Sequence, residues 1–278
     1  MPKTWFIVGA SRGMGRELAE QLLARGDHVA ATVRDTNGVA DLADRYGDAF
    51  WVRALDVTDP DAVRAVTDEA FAAHERVDVV VANAGYGVFG AAEDLSDAQI
   101  DAVIATNLTG SIHLARAAVP HLRNQGGGLL MQMSSMGGHI AFPAFSLYHV
   151  TKWGIEGFYE ALAQEVEPFG IKTTLVEPGV VRTGFFEAAP RVPLSEPYLG
   201  GPADRPTPSV DEMVDSQEKT VAAMIRAGDS TEPPRRLVLG SDAWQLVTDA
   251  LRGRLDELTA QRANAATADI GFTIAPSG

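Results

Sequence analysis

Six short apolar runs recur along the chain with longer stretches of helical period between them, and this alternation limits the fold more than any other feature. The runs are Trp5–Val8, Val29–Val33, Phe50–Leu55, Val77–Val81, Leu129–Met133 and Thr173–Val176. Each is β-rich or apolar enough to be buried on both faces, as strands of a parallel sheet are. Between them, Arg16–Ala24 ends at Gly26, Asp61–Ala73 follows an Asp-Pro start signal, and Ser96 stands where it would cap a helix through Val103. Repeated strand–helix–strand units predict an α/β fold, a doubly wound parallel sheet with helices on both faces. Arg235–Leu239 supplies a seventh strand and Asp242–Leu258 a last helix. The length of 278 residues fits a single domain over 1–262, with a small-residue tail, 263–278, expected to fray. From Pro190 to Pro208 prolines and small polar residues are too dense for regular structure, and the stretch reads as a mobile substrate flap within about 184–210.

Composition removes several classes of function. With 23 basic against 37 acidic side chains the formal net charge is −14, and no Lys/Arg block interrupts it, so the field repels nucleic-acid backbones and anionic lipid. The absence of cysteine excludes disulfides, thiolate nucleophiles and Cys-ligated metals, and the six scattered histidines lack metal-ligand spacing, so no catalytic metal is expected. The apolar run at the amino terminus is too short for a secretory or membrane segment, and no stretch approaches the roughly 20 apolar residues that cross a bilayer. The expected location is the cytoplasm, and the expected partner is a small molecule rather than nucleic acid or membrane.

In an open α/β sheet, ligands bind beyond the carboxyl ends of the strands, so loops starting near residues 9, 34, 56, 83, 134 and 177 are expected to converge. The first is Gly9-Ala10-Ser11-Arg12-Gly13-Met14-Gly15. Its glycines let the backbone approach a pyrophosphate, while the free N–H groups and dipole of the following helix attract the charge. The spacing G-x-x-x-G-x-G differs from the G-x-G-x-x-G fingerprint, and tight strand-to-helix turns use glycine without any ligand. Arg34, ending the second strand, stands where an acidic residue would read the ribose of NAD and an arginine the 2′-phosphate of NADP; Arg12 points the same way. The competing reading of each is a surface cation, with Asp35 as a rival ribose ligand. NADP(H) is therefore the preferred cofactor and NAD(H) the alternative. For Asp56-Val57 two readings stand level: a carboxylate and apolar wall beside an adenine ring, or a helix-leading Asp in the turn that ends at Pro60.

Tyr148 and Lys152 are i and i+4 on a helix expected from about Ser146 to Glu167, so they share one face. Five tyrosines and four lysines in 278 positions make this spacing a roughly 0.07 event by chance. A phenol with its ordinary pKa of about 10 is a poor acid or base at neutral pH, and an adjacent ammonium stabilises the phenolate and lowers that value. The bland alternative is a half-buried tyrosine beside a surface lysine. Ser135, at the carboxyl end of the fifth strand, is placed to hydrogen-bond a substrate carbonyl oxygen. Ser134 is its rival, because pleating turns only one of two neighbours to the crevice. Asn107 interrupts a helix pattern, which predicts a buried polar role or a local kink, against a helix-surface asparagine.

Taken in order, Gly9-x-x-x-Gly13-x-Gly15, Asp56-Val57, Asn83-Ala84-Gly85, Asn107, Ser135, Tyr148-x-x-x-Lys152 and Pro178-Gly179 followed by Thr183 resemble the motifs of compact short-chain dehydrogenase/reductases. The resemblance covers nearly all of residues 4–262. It implies a Rossmann-type fold in which Tyr148 is the general acid/base, Ser135 orients and polarises the carbonyl, Lys152 binds the nicotinamide ribose and tunes the phenol, and Asn107 holds a proton-relay water. It favours Ser135 over Ser134. It places Ser11 and Met14 with the loop glycines and Asn83, Ala84 and Gly85 along the cofactor, and puts Pro178, Gly179 and Thr183 at the nicotinamide carboxamide. Basic residues matching Arg12 and Arg34 favour NADP(H) in that family. Two positions depart from its pattern: Val8 replaces the usual threonine before the glycine loop, and Ala82 a common asparagine before Asn83. Both bear on loop hydrogen bonding rather than catalysis. The motif order and the flap also resemble the hydroxysteroid and retinol dehydrogenase branch.

Tyr86, His139, Phe142, Phe145, Phe185 and Phe186 are candidate walls of an apolar substrate pocket, with plain core as the alternative. The expected activity is that of an oxidoreductase transferring hydride between NADP(H) and an apolar carbonyl or secondary alcohol. An epimerase or dehydratase using the same tetrad and a non-catalytic NADP(H)-sensing protein are the competing readings. The resemblance also implies a homodimer or homotetramer.

Overall fold

The computed structural model describes residues 2–204, 206 and 213–268. Seven strands form: β1 (Thr4–Val8), β2 (His28–Val33), β3 (Phe50–Ala54), β4 (Val79–Ala82), β5 (Gly128–Met133), β6 (Ile171–Pro178) and β7 (Arg236–Leu239). All pair in parallel, in the order β3-β2-β1-β4-β5-β6-β7. The crossovers carry α1 (Gly13–Ala24), α2 (Ala40–Tyr46), α3 (Pro60–Ala73), α4 (Asp97–Ile104), α5 (Gly110–Asn124) and α6 (Ser146–Val166). After β6 come α7 (Phe185–Ala188), α8 (Gln217–Asp229), α9 (Ser241–Ala260) and α10 (Arg262–Ala265).

Pleating divides each strand between two dry layers. Trp5, Ile7, Val29, Ala31, Val79, Val81, Leu129 and Met131 meet Leu18, Leu22 and Leu23 of α1 and Val221, Met224 and Ile225 of α8. Phe6, Val8, Ala30, Val80, Ala82 and Leu130 meet α3 at Val63 and Ala70, α5 at Leu114 and Leu122, and α6 at Ile155, Tyr159 and Val166. A one-residue slip would exchange the two sets, so burial on both faces fixes the register. Local signals set the helix starts. Asp59 accepts from the N–H groups of Asp61 and Ala62 with Pro60 in the first turn of α3, and Ser96 and Gln99 form a reciprocal capping box at α4.

Three features position the crevice. The order reverses between β1 and β4, so the loops following them leave to opposite faces and part at the carboxyl edge. A π-helical turn, Ala105–Thr109, separates α4 from α5 and contains the buried Asn107, the kink that a polar residue inside an apolar helix pattern announced. The flap is more regular at its start than its prolines suggest. Arg191 bridges Phe89, Val192 N–H donates to the Phe89 carbonyl at 2.8 Å, and Glu196–Tyr198 form a 3-10 turn. The loop after β4 thus meets backbone groups that the proline-rich stretch would leave unpaired. Residues 205 and 207–210 of the flap and 269–278 of the tail lie outside the described residues. Within the tail, residues 263–265 finish α10 and Ala266–Ala268 form a 3-10 turn, a run rich in the best helix former. Among the described residues no helix is long and apolar enough to cross a membrane.

Candidate active site

The loops after β1, β4, β5 and β6 meet around a cavity of about 500 Å³. Arg12, Gly13 and Met14 line it from the glycine loop, Asn83, Gly85, Tyr86 and Phe89 from the loop after β4, and Ser134 and Ser135 from the end of β5. Tyr148 and Lys152 reach it from α6, Pro178, Gly179 and Thr183 from the end of β6, and Phe142, Phe145, Phe185 and Phe186 complete the wall.

The glycine loop is built for close approach. Gly9 has φ +95°, and a Cβ there would lie 2.8 Å from the Ala84 backbone. A Cβ at Gly15 would collide with the Gly9 carbonyl and the Asn83 amide, whose Nδ2 donates to Gly9 O at 2.7 Å. Gly13, at φ +56°, has nothing within 4 Å on its Cβ side. Arg12, in the N-cap position of α1, supplies no side-chain cap, so the first-turn N–H groups and positive end of the helix dipole serve whatever anion docks there. Ser11 is exposed on the same loop. Close backbone, unspent donors and clearance above Gly13 are what a dinucleotide pyrophosphate requires, and the residues present fit it.

Arg12 and Arg34 are exposed and form no ion pair among the described residues, whereas Arg16 is tied to Glu20 and Asp41. Asp35, the rival ribose ligand, accepts instead from the backbone N–H and side-chain amide of Asn37 at 3.0 and 2.9 Å. Asp56 accepts from Thr58 N–H and Oγ1–H at 2.9 and 2.7 Å. These bonds hold its carboxyl below the usual range, and the charge of Arg34 adds to the effect. Asp56 thus stands in the turn that leads to α3, and Val57 is buried, packed on Gly110.

At the other end, Ser135 Oγ accepts from Gly137 N–H at 3.0 Å, leaving its own hydrogen to donate toward the Tyr148 phenol. The Ser134 hydroxyl is buried beside Glu156. Lys152 Nζ lies 5.4 Å from the Tyr148 ring centroid and donates to Met133 O at 2.7 Å. The expected lowering of the phenol pKa by this amine is not what the cofactor-free site produces. Burial pushes the phenol up to about 12 against the opposing Ser135 hydroxyl, and burial pushes the amine down to about 8 against the opposing charge of Glu156. Both groups lose hydration to the surrounding side chains, and desolvation disfavours charge on each. Asn107 sits behind the cavity. Its Oδ1 accepts from Tyr86 N–H at 3.0 Å, and its Nδ2 donates to Tyr86 O at 2.7 Å and Thr151 Oγ1 at 3.3 Å.

Residues 3–191 match the family model for short chain dehydrogenases. The chain belongs to the short-chain dehydrogenase family. The oxidoreductase BOA17 of Botryotinia fuckeliana is 39% identical over 248 residues, 87% of this chain and 90% of that protein. A short-chain dehydrogenase from Streptomyces avermitilis superposes with a TM-score of 0.88 at 35% identity, over 97% of this chain and 99% of that one. A metagenomic short-chain oxidoreductase in complex with NADP does so with a TM-score of 0.60 at 33% identity, over 65% and 83% of the two chains.

In this dehydrogenase one candidate pocket residue is misplaced. His139 turns away from the cavity: the 3-10 turn Met136–Gly138 reverses the loop, and its Nε2 lies 3.0 Å from Arg236 Nη1 and 3.2 Å from Glu177. A buried imidazole gains polar partners there that an aromatic wall lacks. Sequence reasoning also missed Phe89, whose ring stacks on Phe145 at 4.2 Å while Phe145 stacks on Tyr148 at 4.5 Å. Ala144, at φ +62°, takes a left-handed turn that L-residues seldom adopt and delivers Phe145 into this stack. His149 locks the same loop, accepting from Phe142 N–H at 2.8 Å and donating from Nδ1 to Gly137 O at 2.9 Å. An aromatic in a loop already expected to converge was the signal for Phe89; none pointed to His149.

Proposed function

We propose that this short-chain dehydrogenase interconverts an apolar carbonyl compound and its secondary alcohol with NADP(H), in the cytoplasm, as a homodimer or homotetramer. The observation that carries the reading is the meeting of Tyr148, Ser135 and Lys152 in one aromatic-walled cavity that opens to the glycine loop. A bound nicotinamide supplies or accepts the hydride. The loop Gly9–Gly15, the first turn of α1 and the run Asn83–Gly85 would hold the dinucleotide phosphates and sugars, and Pro178, Gly179 and Thr183 the carboxamide. Tyr148 gives its hydroxyl proton to the carbonyl oxygen during reduction and recovers it during oxidation. Ser135, already accepting from Gly137, has one hydrogen left to donate to that oxygen. Lys152 supplies positive charge beside the phenol, where a developing phenolate needs it. Asn107, held in the π-turn by hydrogen bonds to Tyr86 and Thr151, would hold a proton-relay water behind Tyr148 and Lys152.

Two exposed guanidiniums at Arg12 and Arg34, without an ion pair among the described residues, and Asp35 already engaged favour NADP(H), and the NADP complex of the metagenomic relative supports the choice. Aromatic walls from Tyr86, Phe89, Phe142, Phe145, Phe185 and Phe186 favour an apolar or aromatic ketone. The test is a panel of carbonyls and alcohols with both nicotinamides, following net NADPH consumption. Tyr148→Phe is expected to cut turnover at least about 100-fold while dinucleotide affinity stays within about twofold. Near-native turnover in that variant removes Tyr148 from the reaction, and turnover without net NADPH consumption replaces the redox reading with isomerisation or dehydration.

A further inference from the structure

Tyr148, Lys152, Glu156 and Glu160 follow at four-residue intervals along α6 and form one stripe. The first two line the cavity; the stripe then continues behind it. Glu156 is buried, and the loop after β5 is pressed onto it so closely that a Cβ at Gly138 would come within 2.8 Å of its Cγ. Arg236, the first residue of β7, is ion-paired with Glu156 and donates to Glu177 on β6 and to Glu160, both at 2.6 Å. Glu177 is wholly buried. Burial pushes the Glu156 carboxyl up, and the neighbouring Glu177 adds to it, against the opposing Ser134 hydroxyl and Arg236 guanidinium. The guanidinium takes the place that a metal ion would need among His139, Glu156 and Glu177, so the cluster carries its own cation. The other buried cation nearby is Lys152, which rests on the Met133 carbonyl and touches no carboxylate among the described residues.

We propose that Glu156, ion-paired with Arg236, is a positioning residue for Lys152, a buried counter-charge one helical turn behind the amine that holds the amine's proton at the cavity. The inference rests on the reading that Lys152 supplies positive charge to Tyr148. The titratable and charged groups around the pair include Tyr148, His149 and Glu160 on α6, Glu177 on β6, Arg236 on β7, His139 in the loop after β5 and Arg254 on α9, which donates to the His139 carbonyl; Ser134 and Asn107 are neutral. Of these the Glu156 carboxylate is the one acting against the discharge of Lys152 by burial. Neutralising it without changing its volume exposes the amine to desolvation alone.

The chain has four lysines, Lys3, Lys152, Lys172 and Lys219, so a sample labelled with 13C at the lysine ε-carbon gives few signals, and Lys152→Arg identifies the one of interest. In the cofactor-free protein, Glu156→Gln is expected to lower the Lys152 titration midpoint by about one pH unit or more, and Glu156→Asp to return most of it. Glu156→Met, which fills similar volume with no polar atom, gives the same downward shift by a second route should Glu156→Gln fold poorly. The alkaline limb of kcat moves to lower pH with the midpoint, while KM for the carbonyl stays near the native value. A Lys152 midpoint that is unmoved in folded Glu156→Gln and Glu156→Met overturns the proposal. If the native protein turns over no carbonyl, the functional reading fails, yet the lysine titration still decides this one.

Discussion

Lys152 is where the site works against the fold, and the conflict can be measured. Burial pushes its amine down to about 8 in the folded protein from an ordinary value of 10.5. That difference, at about 1.36 kcal/mol per pH unit, amounts to roughly 3 kcal/mol by which the charged amine weakens the native state at pH 7. Lys152→Met keeps the length of the side chain, removes the charge and forfeits the 2.7 Å hydrogen bond to Met133 O, worth about 1 kcal/mol. The variant should therefore be more stable than the native protein by about 2 kcal/mol at pH 7. The pH dependence follows from the direction of the shift. A base whose folded pKa is depressed binds its proton more readily in the unfolded chain, so between about 8 and 10.5 the unfolded state holds the extra proton and native stability rises with pH. The advantage of methionine shrinks through that window and turns into a deficit of about 1 kcal/mol above it, where only the lost hydrogen bond remains. Urea unfolding of both proteins without cofactor, at pH 7 and near pH 10, reads the difference as a change in midpoint at constant slope. Cofactor is left out because binding to the native state adds stability of its own. A methionine variant less stable than native at pH 7, or an advantage that ignores pH, refutes the reasoning. A variant that is stabler and inactive would show that this charge is retained for chemistry.

Arg34→Asp removes a free guanidinium and adds a carboxylate where a 2′-phosphate would sit. The ratio of NADPH to NADH affinity, read by calorimetric titration, should fall by about tenfold or more, and an unchanged ratio would take Arg34 out of cofactor choice. Gly15→Ala drives a methyl into the Gly9 carbonyl and breaks the Asn83–Gly9 hydrogen bond, so thermal unfolding should show a loss of about 2 kcal/mol and dinucleotide binding a loss of at least about tenfold. Native-like binding by Gly15→Ala would mean that the loop rearranges freely and that its close packing is incidental.

The architecture was legible because burial on both faces writes itself into a strand as an unbroken apolar run, and β1, β2, β4 and β5 are such runs. The run at β6 was cut short at Val176, because no pattern rule places a glutamate inside a buried strand. Glu177 is there only because Arg236, 59 residues later, brings a cation to it. His139 failed for the same reason: its direction is set by a carboxylate from β6 and a guanidinium from β7, and sequence spacing within its own loop holds no trace of them. Spacing along a single helix was more informative. The interval that joins Tyr148 to Lys152 is a property of the α-helix alone, and one further step of the same interval reaches Glu156. What spacing could not supply was the sign of the effect on Tyr148. A lysine one turn from a tyrosine lowers the phenol pKa when the pair is wet, but when both are dry each is first governed by its own lost hydration. Stopping the stripe at Lys152 left its charge without a counterpart; carried one turn further, the same periodicity supplies the carboxylate that a buried ammonium requires.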